Sequence, residues 1–233
     1  MRQHFFIDNW VSLNAGSSHN DFFSIDVPVR FDKSQLPKIE WVPSMQRRRL
    51  SIFAKMALYC AHHACEKIDV SLPSIFSSRH GDLHKTSMLL EDIAQDEALS
   101  PTAFSLSVHN AVSGLFTILT KNQQATNTVV AGKNTMLMAI IDGFARINTD
   151  HSDKLLIVHC DQALPDIYLP YSDELQIDHA VAFVISREKL TGSSVRVDLN
   201  ELKLTLEGMN TLYPQALQIE QWLASQKAIS LSC

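Results

Sequence analysis

Lys133 stands near the end of TVVAGKNT, residues 128 to 135. There a β-branched run (Thr128, Val129, Val130) meets Gly132, and a long apolar helical pattern begins. A strand, a tight elbow and a helix start can present a side chain to a reactant, with the positive end of the helix dipole aimed at it. A lysine at such a place could bind phosphate, attack a substrate, or occupy a spot once held by another nucleophile. The phosphate reading fails on detail. The pattern GxxxxGK[ST] needs glycine at position 127 and serine or threonine at 134, and the chain has Asn127 and Asn134. A Schiff-base lysine needs burial that depresses its pKa; nothing nearby in sequence supplies it, and a lysine capping the elbow is the plainer alternative.

Three other clusters carry reactive side chains. In CAHHAC, Cys60 and His63 share one helix face, and His62 and Cys65 share another. Two ligands on a face fall short of a four-ligand site, so no metal is expected; the thiols should be buried and the histidines at the surface. The tripeptide HCD, residues 159 to 161, ends a strand pattern and could offer Cys160 as a nucleophile, but it lacks the glycine-framed turn that exposes one. Arg47, Arg48 and Arg49 read as a solvated helix start, or as a small basic patch for an acidic protein partner.

The elements that must position these residues follow from periodicity. HFFIDNWVSLNAG reads as a strand and a turn, and the stretch from Ser17 to Ser44 is polar. Arg47–Arg49 opens a helix through LSIFAKMALYCAHHACEK, with Leu50, Phe53, Ala57, Leu58, Ala61 and Ala64 at helical spacing. VSLPSIFSS is a short buried strand in which Pro73 marks a bulge. Asp82 to Glu97 is a helix with Leu83, Leu89, Leu90 and Ile93 inward. SPTAFSLSVHN is extended and feeds a helix from His109 to about Leu119. TNTVVAG, KLLIVHCDQ and HAVAFVISRE are strands, KNTMLMAIIDGFARI is a helix, and VRVDLNELKLTLE alternates like a strand or hairpin. YPQALQIEQWLAS is a short amphipathic helix that buries Leu217 and Trp222. Strands alternating with helices predict an α/β layered domain with a mixed sheet. In the helix after Lys133, Met136, Leu137, Met138, Ile140, Ile141, Phe144 and Ile147 cover most of the circumference. Burial on both sides is expected of such a helix, in a five-layer sandwich or at a subunit interface.

Composition narrows the partners. The chain has 233 residues, 45% of them hydrophobic, and a formal net charge of −5, which argues against nucleic acid as the main partner. Glycine is scarce, 7 in all, against a usual share of about 7%. Three of the four cysteines, Cys60, Cys65, Cys160 and Cys233, sit in or beside apolar stretches, as reduced thiols of a cytoplasmic protein would. The opening MRQHFFIDNW is interrupted by Asp8 and Asn9, and no stretch reaches the roughly 18 apolar residues of a membrane span.

The span SPTAFSLSVHNAVSGLFTI, followed by TNTVVAGKNTMLMAIIDGFARI, resembles the N-terminal half of β-ketoacyl synthases, the thiolase-like condensing enzymes. More closely it resembles their short chain length factor subgroup, encoded with type II systems such as those making aryl polyene pigments. FIDNWVSLNAG and SSRHGDLHKTSMLLEDIA also look like that subgroup, and the likeness runs from about residue 4 to 186. The resemblance implies a thiolase-like α/β fold truncated to about its N-terminal half, with a mixed sheet and a buried central helix. It also implies a domain over residues 1–190, with residues 191–233 as an extension packed on it.

In active members the elbow carries the nucleophilic cysteine, and that position falls on Lys133. Lysine cannot form the acyl thioester. The family's two catalytic histidines lie in a C-terminal half absent here, and the histidines of this chain, His109 included, do not fall at their positions. The resemblance therefore implies a non-catalytic chain length factor. It would pair as a heterodimer with a full-length β-ketoacyl synthase whose substrates arrive as thioesters on an acyl carrier protein, with no cofactor of its own. Asn127, Thr128, Val129, Val130 and Ala131 would pair with the partner's equivalent strand across a two-fold axis. Phe116, Met136 and Met138 are candidates for the wall of the acyl tunnel, or else ordinary core. The rival readings are a minimal acyltransferase or decarboxylase acting through Cys160 or Lys133, and a free-standing acyl-binding scaffold.

Overall fold

The runs LLIV and AVAFVI lie in adjacent strands, Lys154–Asp161 and His179–Ser186, at the centre of a six-stranded sheet. Both faces of these strands are covered, which is why they are apolar almost continuously rather than in alternation. The structure, a computed structural model, describes residues 4–18, 27–149, 152–208 and 212–230. In chain order the elements are β1 (His4–Asn14), α1 (Ser44–Arg47), α2 (Ile52–Cys65), β2 (Ser74–Ser77), α3 (Leu83–Ala94), α4 (Pro101–Ser105), α5 (Ala111–Thr120) and β3 (Thr126–Val129). There follow α6 (Thr135–Thr149), β4 (Lys154–Asp161), β5 (His179–Ser186), β6 (Val195–Asp198), α7 (Leu199–Glu207) and α8 (Gln215–Ser230).

The sheet order is β3-β2-β4-β5-β1-β6. The first three strands run parallel, joined by helical crossovers, and β5, β1 and β6 continue antiparallel. Because side chains alternate across a strand, the sheet separates two cores. On one face Leu156, Val158, Ala182 and Val184 pack against Phe53, Met56 and Leu58 of α2 and Phe116 of α5. On the other, Ile157, Phe183 and Ile185 meet Met136 and Ile140 of α6, Leu202 of α7 and Leu223 of α8. α6 lies close to the sheet: a Cβ on Gly143 would sit 2.8 Å from Ile185 Cδ1 and 3.0 Å from Ile157 Cδ1. β3 is an edge strand whose outer side meets no other strand among the described residues.

Several sequence expectations need correction. SPTAFS is not extended: it forms α4, because Ser100 accepts a hydrogen bond from Ala103 N (3.3 Å) and Pro101 takes the first helical position. VRVDLNELKLTLE is neither one long strand nor a hairpin. The strand stops at Asp198, whose carboxylate caps α7 by accepting from Asn200 N (2.9 Å) and Glu201 N (3.3 Å). The Arg47–Arg49 run does not open the long helix; α1 ends at Arg47, and α2 starts after Ser51, which accepts from Ala54 N. In α3, Leu89 is buried, but Leu90 and Ile93 are 49% and 56% exposed rather than inward. Pro73 sits just ahead of β2 and makes no bulge; the register shift falls in β1, between Ile7 and Trp10. α6 is the central helix, but its burial is incomplete, with Met138 38% exposed and Ala145 open. α7 and α8 supply its second covering layer, as Leu202, Leu206, Ala216 and Ile219 share its core. No helix among the described residues is long and apolar enough to cross a membrane.

Candidate functional site

β3 leaves the sheet at Val129, and Gly132 turns the chain with φ +57°, a conformation other residues adopt only at a cost. Thr135 locks the elbow: its hydroxyl donates to Gly132 O (2.7 Å) and accepts from Ala131 N (2.9 Å). Lys133 therefore projects from the turn that precedes α6, where a cation meets the positive helix end. Its ammonium is held by Asp173, donating to the backbone oxygen (2.8 Å) and lying 3.3 Å from Oδ2, with 42% of the side chain exposed. Arg79 joins the same network, reaching Asp173 (2.9 Å) and Glu174 (3.1 Å). The Arg79 hydrogen bond holds the Asp173 carboxyl below its ordinary range, whereas burial raises that of Glu174 against the pull of Arg79.

Beneath the elbow lie the ends of β2, β4 and β5. Ser77 pairs in register with His159, and their Oγ and Nδ1 atoms are 3.0 Å apart. His159 Nε2 is 3.0 Å from Asp161 Oδ2. Asp161 also accepts from Ser78 Oγ (2.7 Å), Arg79 N (3.0 Å) and His80 N (3.2 Å). His179 stacks beside His159, with ring centroids 5.6 Å apart, and donates from Nδ1 to Ile177 O (2.7 Å). All three are buried. Burial raises the Asp161 carboxyl, but the His159 hydrogen bond, the two histidine charges and Ser78 outweigh it and hold the pKa well below the carboxylate range. Burial, then the His159 charge, brings His179 down to about 4, against the attraction of Asp161. Ser77, His159 and Asp161 follow the order hydroxyl, imidazole, carboxylate. The Ser77 hydroxyl is buried and bonded to Val158 O (3.2 Å), so it presents no face to a substrate.

The sequence-derived candidates are dispersed. Asn127 donates to Asp142 Oδ2 (3.0 Å), and Val130, just past the edge strand, is 50% exposed. Thr128 lies in β3 opposite Phe76, Val129 opposite Ser77, and Ala131 is exposed at the elbow. Phe116 and Met136 are both fully buried, in the two cores on opposite faces of the sheet. Met138 is on the surface. With Lys133, Asn134, Leu137, Leu206 and Tyr213 it lines a cavity of about 560 Å³.

The three described cysteines, Cys60, Cys65 and Cys160, offer no nucleophile. Cys160 is buried, bonds to Phe53 O and has its thiol pKa pushed up by burial. Cys60 is likewise raised by burial, and Cys65 is pushed up to about 12 for the same reason; Cys233 lies outside the described residues. In CAHHAC the thiols are buried, His62 stacks on Trp41, and His63 pairs with Glu66 (3.0 Å). Arg47 and Arg48 line a basic groove with Lys33, Lys38 and Lys55. What sequence reasoning missed is the buried trio His159, Asp161 and His179. Its signal was polar residues at the ends of strands otherwise apolar along their length.

Comparison with known proteins places this geometry in context. Residues 26–233 match the family model described as the β-ketoacyl synthase N-terminal domain. No curated protein matches the chain. Among solved structures, one similar chain comes from the complex of the ketosynthase ApeO with its chain length factor ApeC from Xenorhabdus doucetiae. Identity is 26% and the TM-score 0.67, over 80% of each chain. The ishigamide ketosynthase/chain length factor shares the fold at 10% identity and a TM-score of 0.62, over 82% of this chain and 64% of that one. A type II acyl-carrier protein complex with its ketosynthase, AntDE:AntF, shares it at 10% identity and a TM-score of 0.59, over 81% and 64%. The chain thus spans less than two thirds of the length of the last two.

Proposed function

The chain belongs to the β-ketoacyl synthase N-terminal-domain family, and from that membership we propose that it is a non-catalytic chain length factor subunit, paired with a full-length ketosynthase. The observation that carries the reading is Lys133, a salt-bridged ammonium at the elbow where the family's condensing thiol would stand. The three described thiols are buried with raised pKa values, so none is poised as a thiolate. The 26% identity to a chain of a ketosynthase–chain length factor complex favours the same role.

In this proposal the open edge of β3 and the residues from Asn127 to Ala131 meet the partner's equivalent strand. Met138, beside the cavity next to the elbow, contributes to the wall that limits the acyl chain. Phe116 and Met136 act from within their cores, where the partner's tunnel approaches them. The acyl chain reaches the partner on a carrier protein, and the product class is that of polyketide or aryl polyene systems. Co-expression with a full-length ketosynthase tests it. The expected result is co-purification and condensing activity that depends on both chains. Turnover by this chain alone, or a covalent acyl adduct on it, would refute the reading.

A further inference from the structure

We propose that His159, Asp161 and His179 form a buried binding site for a divalent transition-metal ion of the zinc type, below the elbow and apart from any condensing chemistry. One ligand atom from each residue lies within 4.8 Å of the others. His159 Nε2 and Asp161 Oδ2, 3.0 Å apart, are spaced as two ligands on one ion are. Zinc–nitrogen and zinc–oxygen bonds of about 2.0–2.2 Å in a tetrahedral arrangement leave neighbouring ligand atoms a little over 3 Å apart. Two imidazoles and one carboxylate suit a first-row transition ion and not calcium or magnesium, which prefer all-oxygen shells.

The independent observation is His179. It is 3% exposed, its Nδ1 proton is committed to Ile177 O, and its Nε2 is buried with no hydrogen-bond partner. A buried acceptor without a donor is unusual in a folded protein, and this one carries a lone pair ready for a cation. The supporting bonds are already those of metal-bound histidines, which hand their second ring proton to a protein oxygen. His179 does so at Ile177. His159 does so at Ser77 Oγ, which passes its own proton on to Val158 O. Ser78, Arg79 N and His80 N fix the Asp161 carboxylate from behind. A void of about 10 Å³ bounded by Thr135, His159, Asp161, Glu174 and His179, and by Arg79 and Lys133, whose charges are paired with Asp173 and Glu174, leaves room of the order of a single water as the remaining ligand. The ion would tie the ends of β4 and β5 to the loop after β2, the same loop that holds Lys133 through Arg79 and Asp173.

The test uses the full chain, alone or in the complex in which it purifies. After exhaustive dialysis it should take up one Co(II) per chain with the visible d–d absorption of a four-coordinate centre, and zinc should displace it and raise the thermal midpoint. His179→Gln and Asp161→Asn should abolish the cobalt band. Ser77→Ala, acting only through His159, should weaken affinity about tenfold, and His63→Ala, in the surface pair with Glu66, should change nothing. X-ray absorption of the zinc-loaded wild type, which needs no variant to fold, should show imidazole and oxygen ligands and no sulfur. No uptake of cobalt by the wild type, a sulfur ligand, or a cobalt band that survives in a folded His179→Gln protein would overturn the site.

Discussion

Lys133 is the residue on which the functional reading turns, and its surroundings set what its loss should do. Its ion pair with Asp173 is close to half exposed, so removing it should cost under about 1 kcal/mol of stability. Lys133→Ala should therefore leave the assembled complex with most of its condensing activity. A collapse of turnover comparable to loss of the partner's nucleophile, measured with carrier-bound acyl substrate, would mean that the ammonium takes part in the chemistry. Cys60, Cys65 and Cys160 should resist alkylation in the native chain and react once it is denatured, as peptide mapping would show, because buried thiols do not ionise. Lys133 was legible in the sequence because an elbow motif frames it. His159, Asp161 and His179 were not. They come from two strands that are neighbours only after the sheet forms, and the HCD tripeptide draws attention to its cysteine, which faces the α2 core instead.

At the scale of elements, caps account for the errors more than periodicity does. Apolar spacing located α2, α3, α5, α6 and α8, and unbroken apolar runs located β4 and β5. Where a side chain reached back to the backbone, period counting misjudged the segment. The Asp198 carboxylate begins a helix by accepting from Asn200 N and Glu201 N, a cap that outweighs the alternation of VRVDLNEL. Ser100 with Pro101 does the same for α4. Asp198→Ala should lower stability by about 1 kcal/mol, read as a denaturant midpoint shift without change of slope. α7 carries Leu202 and Leu206 into the core, so hydrogen exchange should quicken there first. A cap of no importance would leave both unchanged.

Among the described residues the sheet has an edge strand at each margin, β6 at one and β3 at the other. At the β6 end the antiparallel strands β5, β1 and β6 close against α7 and α8. This part was the hardest to foresee, since β1 pairs with strands from the far end of the chain and no local pattern announces such pairing. At the β3 end, Ser74 N and Ser78 N reach Ala125 O and Val129 O, so the odd-numbered residues face β2, and Thr126, Thr128 and Val130 turn their backbone groups outward. Thr128→Pro removes one outward N–H at a position where an edge strand tolerates proline. The variant should keep its thermal midpoint within a few degrees yet no longer co-purify with the ketosynthase. Undiminished recovery of the pair would show that the two chains meet elsewhere.

That unfilled ladder also bears on dosage. Backbone donors and acceptors in a row take up any extended segment within reach, a second copy of the same chain included. In the proposed heterodimer, molecules made beyond the supply of the ketosynthase would present this edge to one another.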